Sequence, residues 1–242
     1  MDIDQSLNIK VNIADTSDML NPYLRKADSI IADLQLQIKQ LQSLSNVIDI
    51  DGNAYKTVKI GSQIWMSENL KTSHYRNGDS IPTVTDNTAW SVFTTGARCW
   101  YNNDSTTYEN PYGNLYNWYA VVDNRNICPI GFHIPSNMEW STLVDYLGGE
   151  SIAGGKMKAT GTIYWDSSNT GATNESGFTA LGGGARIYNG SFAGFRGVTH
   201  FRSTSEYATT FNWSSILYAH NSTEYRGYLA KNSGAFVRCL KD

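Results

Sequence analysis

The sequence predicts a mixed α+β chain in which an N-terminal strand and a long helix precede a compact head. Three observations carry this. Strict alternation over residues 5–14 has the period of a strand. A heptad seam then runs from Leu20 to Leu41. Beyond residue 46 the chain turns glycine-rich, with an Asp-Gly hairpin signal and one strongly capped helix.

In residues 5–14, Leu7, Ile9, Val11 and Ile13 share one face and Ser6, Asn8, Lys10 and Asn12 the other. A lone strand is not stable, so it is completed either by another protein or by the main domain. Thr16-Ser17-Asp18 offers helix N-caps, and Pro22 falls in the expected first turn. Leu24, Ile31 and Ile38 occupy heptad a positions, and Leu20, Ala27, Leu34 and Leu41 the d positions. A narrow a/d stripe is the mark of a coiled coil rather than of a helix lying on a core. Positions e and g carry Gln35, Gln37 and Gln42 with Ile30 and Leu44, not opposed charges. That wider stripe points to a homotrimer over a dimer. The expected division is a strand over 1–15, an oligomerising stalk over 16–46 and a head over 47–242.

The head opens with Val47-Ile48-Asp49-Ile50-Asp51-Gly52-Asn53-Ala54-Tyr55, read as strand, turn and strand. Residues 56–66 continue as strands about a Gly61-Ser62 turn. Asn117 to Val122 reads as a short helix. Pro135-Ser136-Asn137 starts a longer one, where Ser136 and Glu139 have capping-box spacing; Trp140, Leu143, Val144 and Leu147 follow at helical intervals, and Gly148-Gly149 ends it. Residues 150–200 read as loop-rich, and Gly182-Gly183-Gly184-Ala185-Arg186 as a packed turn, since no Gly-Lys-Ser/Thr follows as a phosphate cradle needs.

Several of these segments resemble, in order, the Fibrobacter succinogenes major paralogous domain. They are Val58 to Thr72, Tyr75 to Pro82, Cys99 to Asp104, Tyr112 to Val121, Cys128 to Trp140, Ser176 to Arg186 and Val237 to Asp242. The resemblance covers about residues 50–242 and leaves out the strand and stalk. That family is similar to the C-type-lectin-like group, which includes formylglycine-generating enzymes. The resemblance implies a C-type-lectin-like domain with two helices, small antiparallel sheets and structured loops, the last strand lying beside the first. It also places Cys128 near Cys239.

Composition excludes some functions. Net charge is −3 over 242 residues, giving no basic field for nucleic acid. No segment has the apolar length of a membrane span. The N-terminus lacks the basic start and apolar run of a secretory signal. Three cysteines, Cys99, Cys128 and Cys239, allow at most one bridge. Of His74, His133, His200 and His220, none sits in a nucleophile-elbow context. Formylglycine-generating enzymes rely on a redox-active C-terminal cysteine pair, whereas this region holds Cys239 alone. Asn102-Asn103-Asp104 reads as a polar turn, although its oxygens suit a hard cation. The expectation is a non-enzymatic protein with neither cofactor nor resident metal.

The positive signal is the stretch 188–232, rich in Tyr, Asn and Ser, the side chains of adaptable binding surfaces. Candidate ligand contacts are Tyr188, Asn189, Phe192, Asn212, Trp213, Tyr218, His220, Asn221 and Tyr225. Trp213, Tyr218 and Tyr225 would stack on sugar rings, while Asn212, His220 and Asn221 would bond hydroxyls. The bias resembles that of diversified C-type-lectin-like proteins of phages. The functional expectation is a bacteriophage virion fibre, docked through its N-terminal strand and binding a host-surface glycan or protein. A bacterial surface adhesin is the alternative, with an enzyme of the formylglycine-generating kind behind it.

Overall fold

A computed structural model describes residues 13–44 and 46–242, with side chains of the first helix described from Leu20 to Gln35. The chain divides into two compact units, 1–45 and 46–242.

In the first unit, α1 runs from Ile13 to Leu44 as one helix. Most of the strand expected over 5–14 lies outside the described residues. Its last two positions, Ile13 and Ala14, are helical, which corrects that part of the expectation. The helix therefore starts earlier than its supposed caps, and Pro22 lies inside it. There the missing N–H removes one backbone hydrogen bond. The seam residues Leu20, Leu24, Ile31 and Leu34 are 50–61% exposed in the single chain. The side chains of Ile38 and Leu41 are outside the described set.

The second unit begins with the hairpin β1 (Val47–Ile48) and β2 (Ala54–Tyr55), closed over Asp51-Gly52. The Asp49 carboxylate organises this turn. It accepts the backbone N–H groups of Asp51 and Asn53 and, at 2.6 Å, the Tyr55 hydroxyl. A four-stranded antiparallel sheet follows the order β3 (Thr57–Ile60), β4 (Gln63–Met66), β13 (Leu240–Lys241), β7 (Phe132–His133). Leu240 pairs with Trp65 on one side and His133 on the other, so the closing strand is held inside this sheet. Cys128 and Cys239 form a disulfide that ties the two ends of this region, while Cys99 is free and buried.

A five-stranded sheet has the order β12 (Glu224–Ala230), β11 (Phe211–Tyr218), β10 (Val198–Ala208), β8 (Gly183–Arg186), β9 (Phe192–Phe195). Only the β8–β10 pairing in it is parallel. A two-stranded pair joins β5 (Arg98–Cys99) to β6 (Leu115–Tyr116).

Trp65, Trp140, Phe178 and Phe201 interlock between the two larger sheets, with ring centroids 4.7–5.8 Å apart. Arg238 is buried beside them, its guanidinium 4.6 Å from the Phe178 ring. It donates to Asn69 Oδ1 and to the carbonyls of Met66, Phe178 and Thr179. Such a charge is tolerable in a core because each donor finds an oxygen.

The helices correct the expectation of two. The described residues of this unit contain α2 (Asn87–Val92), α3 (Ser105–Tyr112), α4 (Trp118–Val121), α5 (Asn137–Tyr146) and α6 (Glu150–Met157). The capping box at Ser136 and Glu139 forms as the spacing predicts. α6 falls where loops were expected, and Gly154-Gly155 was the misleading signal. A Cβ at Gly154 would lie 2.5 Å from the Thr223 carbonyl oxygen, and one at Gly155 2.3 Å from that of Gly171. The glycines mark close approach of backbones, not a turn. Gly183-Gly184 is likewise strand β8, not the expected packed turn, because a Cβ at Gly183 would strike the Phe236 ring at 2.4 Å.

Candidate functional site

The candidate residues separate into three places. Strand alternation on β11 directs Trp213 and Tyr218 to opposite faces, and five residues put them about 17 Å apart.

At one end, the β11–β12 turn gathers Tyr218, His220, Asn221 and Tyr225. Tyr218 meets the Tyr225 ring edge-on at 5.3 Å and the His220 ring at 5.2 Å. The Asn221 amide donates to the Tyr225 hydroxyl at 3.1 Å, and its Oδ1 accepts the Thr223 N–H. His220 and Tyr225 are exposed, Tyr218 and Asn221 half-buried.

This turn is held from beneath by Lys158, which sequence reasoning missed. Its side chain is fully buried, and Nζ donates to the carbonyls of Asn221 at 2.8 Å, Tyr218 at 2.9 Å and Thr170 at 3.0 Å. A fourth carbonyl, Ala219, lies at 3.5 Å. The ammonium does here what a bound cation does in other loops: it neutralises carbonyl dipoles that converge from separate segments. Burial lowers its pKa to about 8. Nothing local in the sequence distinguishes this lysine from Lys156.

At the other end of the sheet, Trp213 lies edge-on to Tyr207 at 4.8 Å. Tyr207 stacks on Tyr228 at 4.7 Å with rings 2° from parallel, and Phe211 completes the group. Tyr207 and Tyr228 are about half exposed. Neither had been singled out, because the cluster arises from the β10–β11 and β11–β12 registers. The neighbouring Lys231 pairs with Glu206 at 2.8 Å and lies over the Trp118 ring at 4.4 Å.

Asn212 is a correction. It is fully buried, and its Oδ1 accepts from the Arg202 guanidinium while its amide donates to the carbonyls of Trp213 and Ser203. It serves the core and is not available to a ligand. Arg202 is also buried; burial lowers it to about 9, and it donates to the Ser233 carbonyl as well.

The third place is the β8–β9 turn, across the sheet from β12. Tyr188 is exposed, and Asn189 accepts both the N–H and the hydroxyl of Ser191. Phe192 packs against the core with its ring 5.3 Å from Tyr101, so it supports this turn from below.

The remaining titratable groups form local ties. His74 Nδ1 lies 2.5 Å from Asp51, whose carboxylate also accepts from Thr72 and Ser73. Burial opposes ionisation of Asp51, but the Ser73 N–H, His74 and the two hydroxyls hold its pKa near 2. Ser73 and Asp51 both meet the same imidazole nitrogen, so the histidine cannot relay a proton between them. His133 bridges Glu139 at 2.9 Å and Asp242 at 2.7 Å, fastening α5 to the closing strand. His200 is pushed down to about 4 by burial and by Arg202, which leaves it neutral near pH 7. Residues 101–103 form a 3-10 turn, and Asp104 caps α3 by accepting the Thr107 N–H. No group of three or more His, Cys, Asp or Glu among the described residues is placed to hold a metal ion. No helix among them is long and apolar enough to cross a membrane.

Comparison with known proteins bears on the head. No match was found among curated proteins or among solved structures. A family model, that of the Fibrobacter succinogenes major domain, matches residues 58–241. The match takes in β3 through β13, with the disulfide, the buried Arg238 and the sheet that carries the exposed tyrosines. The chain belongs to the Fibrobacter succinogenes major domain family.

Proposed function

We propose that the chain is a homotrimeric receptor-binding fibre protein of a bacteriophage virion. Its C-type-lectin-like head binds a host-surface glycan or protein. The observation that carries this reading is the apolar seam of α1, of which the described Leu20, Leu24, Ile31 and Leu34 stand 50–61% exposed in a single chain. A helix of 32 residues with such a stripe gains most by packing against copies of itself. Ile30 beside the seam, also half exposed, widens the stripe and favours three strands.

Each copy would then present the same sheet, with exposed Tyr225 and His220 at one end and Tyr207 and Tyr228 at the other. Three weak sites on one stalk act together through effective concentration. A non-enzymatic reading is supported by the cysteines. Cys128 and Cys239 are buried and joined to each other, and Cys99 is buried apart from them, so none of the three offers an exposed thiol.

A glycan array probed with the full chain tests the ligand. Wild type is expected to bind a restricted set of glycans, with Tyr225→Ala and Trp213→Ala each weakening binding at least about tenfold if their end of the sheet is engaged. Equal binding by wild type and both variants would refute the proposed surface.

A further inference from the structure

The head carries an apolar patch that the receptor-binding reading leaves unused. Ile48, Ile50 and Ile130 are 61%, 54% and 82% exposed. They rim a cleft of about 220 Å³ with Ile127, Cys128 and Pro129. Its two charged residues are committed elsewhere. Asp49 is taken up by its own turn, and Arg76 donates to the carbonyls of Cys128, Pro129 and Phe132. The cleft therefore offers mainly hydrocarbon, on a frame fixed by a hairpin and a disulfide.

We infer that this patch is buried against the neighbouring copies of the same chain, the corresponding patches of the three heads meeting about the three-fold axis. The inference rests on reading α1 as an oligomerising helix. Helices packed through a seam lie 8–10 Å apart. Ile48 follows Leu44, the last residue of α1, by four positions, a reach of at most about 14 Å. Ile48 of one copy is therefore tethered within about 40 Å of Ile48 of the next. Short tethers give effective concentrations in the millimolar range, enough for a small apolar contact that would not form between free heads. The ligand contacts proposed above do not use this patch: Tyr207 lies on β10, Tyr225 and Tyr228 on β12, and Tyr188 at the β8–β9 turn.

The test uses the full chain with Ile48→Asp and Ile130→Asp together, and Ile130→Asp alone in case the short β1 strand does not tolerate the first change. Each oligomer dissociation constant is measured by sedimentation equilibrium, and Leu24→Asp with Ile31→Asp serves as the stalk control. We expect wild type to associate, the stalk control to be monomeric, and the patch variants to dissociate at least about tenfold more readily with unchanged near-ultraviolet circular dichroism. Association as tight as wild type in both patch variants would assign the patch to some other protein and overturn the inference, leaving the stalk reading intact. A wild-type chain that is monomeric at every concentration would overturn the stalk reading and this inference together.

Discussion

The disulfide between Cys128 and Cys239 closes a loop with a sequence separation of 111 residues. Replacing both with alanine removes the cross-link without burying a new hydroxyl. In the chain-entropy treatment a loop of that length restrains the unfolded state by roughly 4.8 kcal/mol at 25 °C. Compact unfolded chains recover part of this, so the expected loss is about 3–5 kcal/mol. The native ends should stay in place, because other bonds hold them. Arg76 donates to the Cys128 carbonyl at 2.9 Å, and the Met66 N–H donates to the Cys239 carbonyl at 3.0 Å. Cys99 offers no substitute partner, since burial keeps its thiol protonated with a pKa of about 12. The assay is urea unfolding followed by tryptophan fluorescence, at one fixed protein concentration, because all seven tryptophans lie beyond residue 46. The midpoint should fall, and the urea slope should rise as the unfolded state expands. A loss below about 1 kcal/mol with an unchanged slope would refute the reasoning that the cross-link acts on the unfolded chain.

Other perturbations follow from buried charges and ties. Arg238→Met strands four oxygens that the guanidinium now serves and should cost about 3–5 kcal/mol, measured by urea midpoint. Lys158→Met leaves the converging carbonyls of Thr170, Tyr218 and Asn221 without a donor. It should cost about 1–3 kcal/mol and speed amide exchange at Thr170, whose N–H bonds to the Ala219 carbonyl. The pH dependence centres on His133. Burial opposes its protonation, but Asp242 and Glu139 outweigh burial and raise its pKa. A pKa raised on folding adds stability that is complete below the unfolded value near 6.5 and is lost as pH rises through the folded value. The thermal midpoint of His133→Gln should therefore fall further below wild type at pH 5.5 than at pH 8.5, and a constant gap would contradict the tie.

What the sequence made legible was local. The period of α1, the Asp51-Gly52 hairpin and the Ser136–Glu139 capping box all depend on residues a few positions apart, where propensity and hydrogen bonding act within one segment. What was hidden depends on distant partners. Gly154-Gly155 looked like loop because glycine is a breaker in isolation, yet here it admits the backbones of Thr223 and Gly171 against a helix. Asn212 looked like a surface amide until Arg202 was placed beside it. Of the candidate contacts, Tyr218, His220, Asn221 and Tyr225 come together at one turn, while Trp213 joins Tyr207 and Tyr228 on the other face. Tyr188 and Asn189 stand at a third place. Residue type alone singled out this stretch rich in Tyr, Asn and Ser, but only strand register sorts it into separate surfaces.

The central claim is that the exposed seam of α1 joins copies of the chain into a fibre that presents several heads at once. Multi-angle light scattering of the full chain at micromolar concentration tests it most directly. The expected mass is three times the 26.9 kDa of one chain, falling to a single chain in the variant with Leu24→Asp and Ile31→Asp. A wild-type mass of one chain would contradict it.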